Sequence, residues 1–205
     1  MRQTAVPGRW LTALMAVGLL LAACASPVGT NRTDPKVVLR ELGQSATTTG
    51  EPTWQTRNVL FEQGMFAEFE ERPEDVLAAL HKVMIASGGD PDLLFALAEL
   101  SFLHGQTVGK PTYQLAAAVY AYAFLFPEGS GSAPGRFDPR LRIAADLYNW
   151  ALMASFLSED GSTVVPRSGA FDLPFGKIDV AFDPASLRAG DRELYQFTPI
   201  AELEV

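Results

Sequence analysis

Three times between residues 73 and 139 the chain repeats one kind of opening: Pro73-Glu74-Asp75, Asp90-Pro91-Asp92 and Asp138-Pro139. Proline at the first helical position gives up an N–H that would have no partner there, and acidic side chains beside it meet the positive end of the helix dipole. Asp90 also stands where a side-chain oxygen caps the first free N–H groups. Apolar residues spaced three and four apart follow the first two openings: Val76, Leu77, Leu80, Val83 and Met84, then Leu93, Leu94, Leu97, Leu100 and Phe102-Leu103. That period belongs to helices with one face buried. Ser87-Gly88-Gly89 and Gly105 are expected stops. Helices joined by turns this short must pack against their sequence neighbours.

The same period extends from residue 54 to 158. A first segment, Trp54 to Glu70, carries Val59, Leu60, Met65, Phe66 and Phe69, with Gly64 as its weak point. Pro111 opens another helix, in which Leu115 to Phe126 are continuously apolar. That run is too short to span a bilayer and reads as a helix buried on most sides. Asp138-Pro139 opens the next, which is expected to end near Leu157; a short helix is expected over 35–43. The fold class is therefore mainly α, with antiparallel helical hairpins. The segment 90–126 resembles a tetratricopeptide-like hairpin, although the family's regular period of about 34 residues is absent. An irregular array and an ordinary bundle both remain open.

Beyond Gly161 the period changes to two. Thr163-Val164-Val165 is β-like, and Ile178, Val180 and Phe182 alternate with polar or small residues. Gly176 is expected as a tight turn or bulge between two strands. Leu194 to Phe197 and Ile200 to Val205 are further strand candidates. A small β segment over 159–205 is expected to follow the helices, incomplete as it runs into Val205.

With 48% hydrophobic and 20% charged residues, the chain can bury a core. A net charge of −8 argues against nucleic acid as a partner. One cysteine and two histidines exclude a disulfide framework and a cysteine-rich metal module, so no metal and no cofactor are expected. No Gly-x-Ser-x-Gly elbow occurs; Ser130 and Ser132 sit in a loop of small residues. Lys110 follows Gly109, but Pro111 removes the next donor a phosphate loop needs. His81 and His104 each have the chemistry of a general base but no matched nucleophile nearby in sequence, and His104 suits a helix C-terminus. The acidic run Glu68, Glu70, Glu71, Glu74, Asp75 lacks calcium-loop spacing and reads as a solvated face. Aromatic residues crowd two helices. Tyr113, Tyr120, Tyr148 and Trp150 are candidates for a ligand or partner groove, with core packing as the other reading.

Residues 1–23 have the build of a signal peptide: Arg2 and Arg9, an apolar stretch from Trp10, then Leu21-Ala22-Ala23-Cys24. The box resembles the lipobox of bacterial lipoproteins. That resemblance makes Leu21, Ala22 and Ala23 the signal-peptidase recognition residues and Cys24 the site of lipid attachment, by palmitate-type acyl chains. It implies a membrane-anchored protein of the bacterial cell envelope. Ala25-Ser26 after the cysteine implies the outer membrane, facing the periplasm. Residues 24–53 then form a tether with one short helix, and 54–158 the helical domain.

Three segments together resemble the helical region that precedes the α/β-hydrolase domain of exported bacterial esterases. They are Tyr113 to Pro127, Arg142 to Leu152, and Phe197 to Val205. The resemblance implies a non-catalytic accessory module, with a serine elbow expected past Val205 and a hydrolase domain as its partner. A free-standing lipoprotein adaptor that binds a protein partner through its helices is the alternative.

Overall fold

The computed structural model describes residues 33–128, 133–193, 197 and 199. The chain divides into two compact units after Val38, the larger beginning at Leu39. Helix α1 spans Pro35–Gly43. Asp34 opens it, its carboxylate accepting the Lys36 N–H at 2.9 Å.

Six further helices follow: α2 (Trp54–Glu62), α3 (Phe66–Glu71), α4 (Pro73–Ala86), α5 (Pro91–Val108), α6 (Pro111–Leu125) and α7 (Arg140–Ser155). The proline openings differ in detail: Pro73 and Pro91 stand at the first helical position, the first without a side-chain cap, whereas Pro139 is itself the N-cap of α7. Asp90 accepts the N–H groups of Asp92 at 2.8 Å and Leu93 at 3.2 Å. Before α7, the Asp138 carboxylate accepts the Arg140 N–H at 2.9 Å. The expected single helix from Trp54 to Glu70 is two. Gly64 adopts φ 67°, a left-handed conformation, and the Met65 N–H turns back to the Leu60 carbonyl at 2.8 Å. Glycine enters that region without steric penalty, so the helix ends there.

Helix α5 is the axis of the core. Residues 93 to 102 are all buried, and the helix packs against α2, α4, α6 and α7. Its hairpin with α6 closes through Gly109, at φ 64°. The two helices approach so closely that a Cβ on Gly105 would lie 2.8 Å from Gln114 Nε2 and 3.1 Å from the Gln114 backbone nitrogen. Helix α6 continues the core against α7. Leu77, Leu80, Leu97, Phe102, Phe124 and Leu147 are buried in the interior these helices share.

The β portion is small. Strands β1 (Gly169–Leu173) and β2 (Gly176–Val180) form an antiparallel hairpin with Phe171 opposite Ile178. Its turn is Pro174-Phe175 and not Gly176 as expected; Gly176 is the first residue of β2 and pairs with Leu173. Phe171, Leu173, Ile178 and Val180 are the more buried positions, as period 2 dictates. Leu173 and Phe175 pack against the helical core. Val164 bridges to both Leu157 and Phe197. A second pair, β3 (Arg188–Ala189) with β4 (Arg192–Glu193), follows a turn of 3₁₀ helix. Of the remaining strand candidates, Phe197 is described, and 200–205 lie outside the described residues.

Candidate functional site

A cleft of about 580 Å³ opens between α2 and the segment that leads into α7. One wall is a stripe along α2: Trp54, Asn58 and Glu62 stand four residues apart and so share a face, with Gln55 beside them. Asp92 and the run from Gly135 to Arg140 form the other wall. Two large rings are open to solvent here. Trp54 is 49% exposed and Phe137 is 94% exposed.

Arg140 underlies the cleft. Its guanidinium lies over the rings of Phe95 at 5.7 Å and Phe124 at 5.2 Å. It donates to Asp138 through Nε at 3.0 Å and Nη2 at 2.8 Å, and through Nη1 to Asp92. Burial opposes the arginine's charge, but the bonds to Asp138 and then Asp92 raise its pKa above the ordinary value. The Arg140 bond in turn holds the Asp138 carboxyl below its usual range. Two rings and two carboxylates thus hold this cation in place.

The position of Trp54 is set from beneath. Thr53 caps α2, its hydroxyl oxygen accepting the Thr56 N–H at 3.3 Å. Thr53 is itself held by Glu99, a fully buried residue in the middle of α5. Glu99 Oε2 accepts the Thr53 N–H at 2.9 Å and its hydroxyl at 2.8 Å, while Oε1 accepts the Ala46 N–H at 3.0 Å. Burial raises the Glu99 pKa, against the lowering effect of these donors and of Thr56. One carboxyl group thus joins the segment before α2 to the core.

No protein-family model, curated protein or solved structure matches this chain.

The sequence candidates lie elsewhere. Leu21, Ala22, Ala23 and Cys24, and the loop serines Ser130 and Ser132, are outside the described residues. Tyr113 and Tyr120 are each only 6% exposed and face the core rather than an open groove. Tyr113 meets His104 edge-on at 4.5 Å. Tyr120 bonds His81 Nδ1 through its hydroxyl at 2.8 Å and lines a cavity of about 150 Å³ beneath the β-hairpin. Burial raises its pKa. Tyr148 lies 6.0 Å from the exposed Tyr122, and Trp150 packs half-buried against the core. The four therefore do not line one surface.

His104 has a partner that its place in sequence did not indicate. Its Nε2 lies 3.3 Å from Glu74 Oε1, which also receives Lys110 Nζ at 3.1 Å. The Lys110 bond, then the His104 bond, lowers the Glu74 pKa. Among the described residues no three His, Cys, Asp or Glu side chains group as a metal site, and no helix is long and apolar enough to cross a membrane.

Sequence reading missed Glu99 and Arg140, although one signal was present. Glu99 is the only charged residue from Leu93 to Leu103, a stretch otherwise apolar but for Ser101. A charge so placed needs buried donors to meet it. The cleft itself left no local signal, since Trp54 and Phe137 come from distant parts of the chain. Its lining offers amides, carboxylates, two guanidinium groups and rings, but no serine, cysteine or histidine. That inventory suits recognition of a ligand.

Proposed function

We propose that this chain is the helical accessory module of a lipid-anchored protein of the bacterial cell envelope, held to the outer membrane through acylated Cys24. The observation that carries the reading is Leu21-Ala22-Ala23-Cys24, set directly after an apolar stretch led by Arg2 and Arg9 and containing the chain's single cysteine. Two or more acyl chains on that residue give stable anchoring where one is marginal. The module's role is to hold or shape access to an α/β-hydrolase domain, on the resemblance of the Tyr113–Pro127, Arg142–Leu152 and Phe197–Val205 segments. The tight α5–α6 hairpin, with Gly105 against Gln114, supports a tetratricopeptide-like relation between those helices.

Labelling with an alkynyl palmitate analogue in a Gram-negative host tests the anchor. Label is expected on the wild-type chain and absent from Cys24→Ala, and globomycin is expected to accumulate the unprocessed precursor. An unlabelled chain whose size ignores globomycin defeats the reading. The gene sequence past the Val205 codon tests the module. An in-frame Gly-x-Ser-x-Gly supports it; a stop codon there, with the purified chain folded and monomeric, favours the adaptor instead.

A further inference from the structure

The cleft between α2 and Gly135–Arg140 carries water-exposed polar side chains that are committed to no other group of the fold. Among the described residues, the side chains of Gln55, Asn58, Glu62 and Arg136 have no hydrogen-bond or ion-pair partner, yet all line one concavity with Trp54 and Phe137. Its volume of about 580 Å³ is in the range of small-molecule sites.

The lining selects a chemical class by exclusion. Arg140 is already held by Asp138 and Asp92, which leaves Arg136 as the one uncommitted cation of a lining that also carries the Glu62 carboxylate. The walls therefore have no surplus positive charge for a phosphate or carboxylate ligand. A wholly apolar ligand would strip water from two amides and a carboxylate and give them nothing in return. What fits is a neutral molecule with flat C–H faces for the rings and many hydroxyls for the amides and carboxylate. Amides both donate and accept, and a carboxylate accepts twice, which matches adjacent hydroxyls. The stripe from Trp54 to Glu62 runs about 12 Å along the helix, enough to span two sugar rings.

We propose that this cleft is a saccharide-binding site. An apolar sugar face lies on Trp54 or Phe137, and ring hydroxyls bond Gln55, Asn58 and Glu62. This does not depend on how the chain is anchored, and it places the cleft's recognition chemistry in a function separate from the hydrolase association.

The full chain in detergent is titrated with maltose, cellobiose and diacetylchitobiose, each to about 10 mM, a range that reveals millimolar dissociation constants. Saturation-transfer NMR and tryptophan emission are the readouts. At least one disaccharide is expected to bind saturably, with affinity reduced about tenfold or more in Phe137→Ala and in Asn58→Ala. Phe137 is 94% exposed, so its replacement leaves the core untouched, and circular dichroism checks both variants. Absence of saturable binding across the three sugars overturns the proposal. So does binding that both variants leave unchanged, or a proline-rich peptide that binds in this cleft where the sugars do not.

Discussion

The Glu99 carboxylate accepts both the backbone N–H and the hydroxyl of Thr53, at 2.9 and 2.8 Å, across 46 residues of sequence. Thr53 caps the helix whose first residue is Trp54, so a buried acid in α5 sets one wall of the cleft. Both carboxyl oxygens receive a backbone N–H, because Ala46 bonds Oε1. Glutamine has one accepting oxygen and would turn its NH₂ toward one of these donors. Glu99→Gln is expected to cost about 1–3 kcal/mol, and Glu99→Ala roughly 3–5 kcal/mol through two orphaned N–H groups and a cavity. Urea unfolding measures both. Because burial raises the Glu99 pKa above its ordinary 4.5, the folded state binds this proton more tightly. Its contribution is therefore greatest below pH 4.5 and falls as pH rises through the folded value. Glu99→Gln is expected to flatten that part of the profile.

Gly105 presents a contest between propensity and packing. Alanine in a helix interior is better than glycine by about 1 kcal/mol. A Cβ at this position would meet Gln114 Nε2 at 2.8 Å, Cδ at 3.0 Å and the backbone nitrogen at 3.1 Å. The amide can move, but the backbone of α6 cannot move alone. Gly105→Ala is expected to destabilise by roughly 1–3 kcal/mol. Gln114 Oε1 is buried without a hydrogen bond while Nε2 donates to the Phe102 carbonyl at 3.2 Å, so Gln114→Ala is expected to cost about 1 kcal/mol itself and to recover part of the Gly105→Ala loss. A double-mutant cycle in urea gives the coupling.

What could be read from sequence was what local chemistry decides. Asp90 with Pro91, and Asp138 before Arg140, place helix starts through bonds spanning two or three residues. Ile178 and Val180 show their strand by alternation alone. The errors arose where two local rules compete. Gly64 was visible as a weak point, but whether a helix breaks at glycine depends on whether φ turns positive, and here it does. The hairpin turn fell on Pro174-Phe175 because Phe175 packs against the core and stacks on His81 at 5.0 Å, a contact between distant segments. The choice between core and groove for the aromatic quartet was open in sequence for the same reason. Helical spacing shows which residues share a helix face, but not that Tyr113 would meet His104 and Tyr120 would meet His81.

The His81–Tyr120 pair makes stability depend on mild acid. His81 Nδ1 lies 2.8 Å from the Tyr120 hydroxyl, its ring stacks on Phe175, and Lys177 lines the same small cavity. Burial lowers the His81 pKa from its ordinary 6.5, so the unfolded chain takes up this proton first. The contribution is thus full above pH 6.5 and is lost as pH falls from there through the folded value. Thermal melts between about pH 5 and pH 7.5 are expected to show that loss, and His81→Phe to remove it. Tyr120→Phe is expected to cost about 1 kcal/mol at neutral pH, as one hydrogen bond is lost.

Arg140 is a stricter case, because its partners demand a planar, forked cation. Asp138 receives both Nε and Nη2, Asp92 receives Nη1, and the guanidinium covers Phe95 and Phe124. Lysine keeps the charge but cannot divide it between two carboxylates while covering two rings. Arg140→Lys is expected to cost roughly 1–3 kcal/mol, although only charge shape has changed. The Asp138 carboxyl reports the same loss. Held low by the Arg140 bond, it contributes stability above its ordinary 3.8, which disappears as pH falls through the folded value. In Arg140→Met the Asp138 titration, followed by carboxyl NMR, is expected to move up toward 3.8 or beyond, and the acid dependence assigned to this pair to vanish. If Arg140→Lys matches the wild type in both urea stability and Asp138 titration, the forked geometry contributes nothing and simple charge suffices.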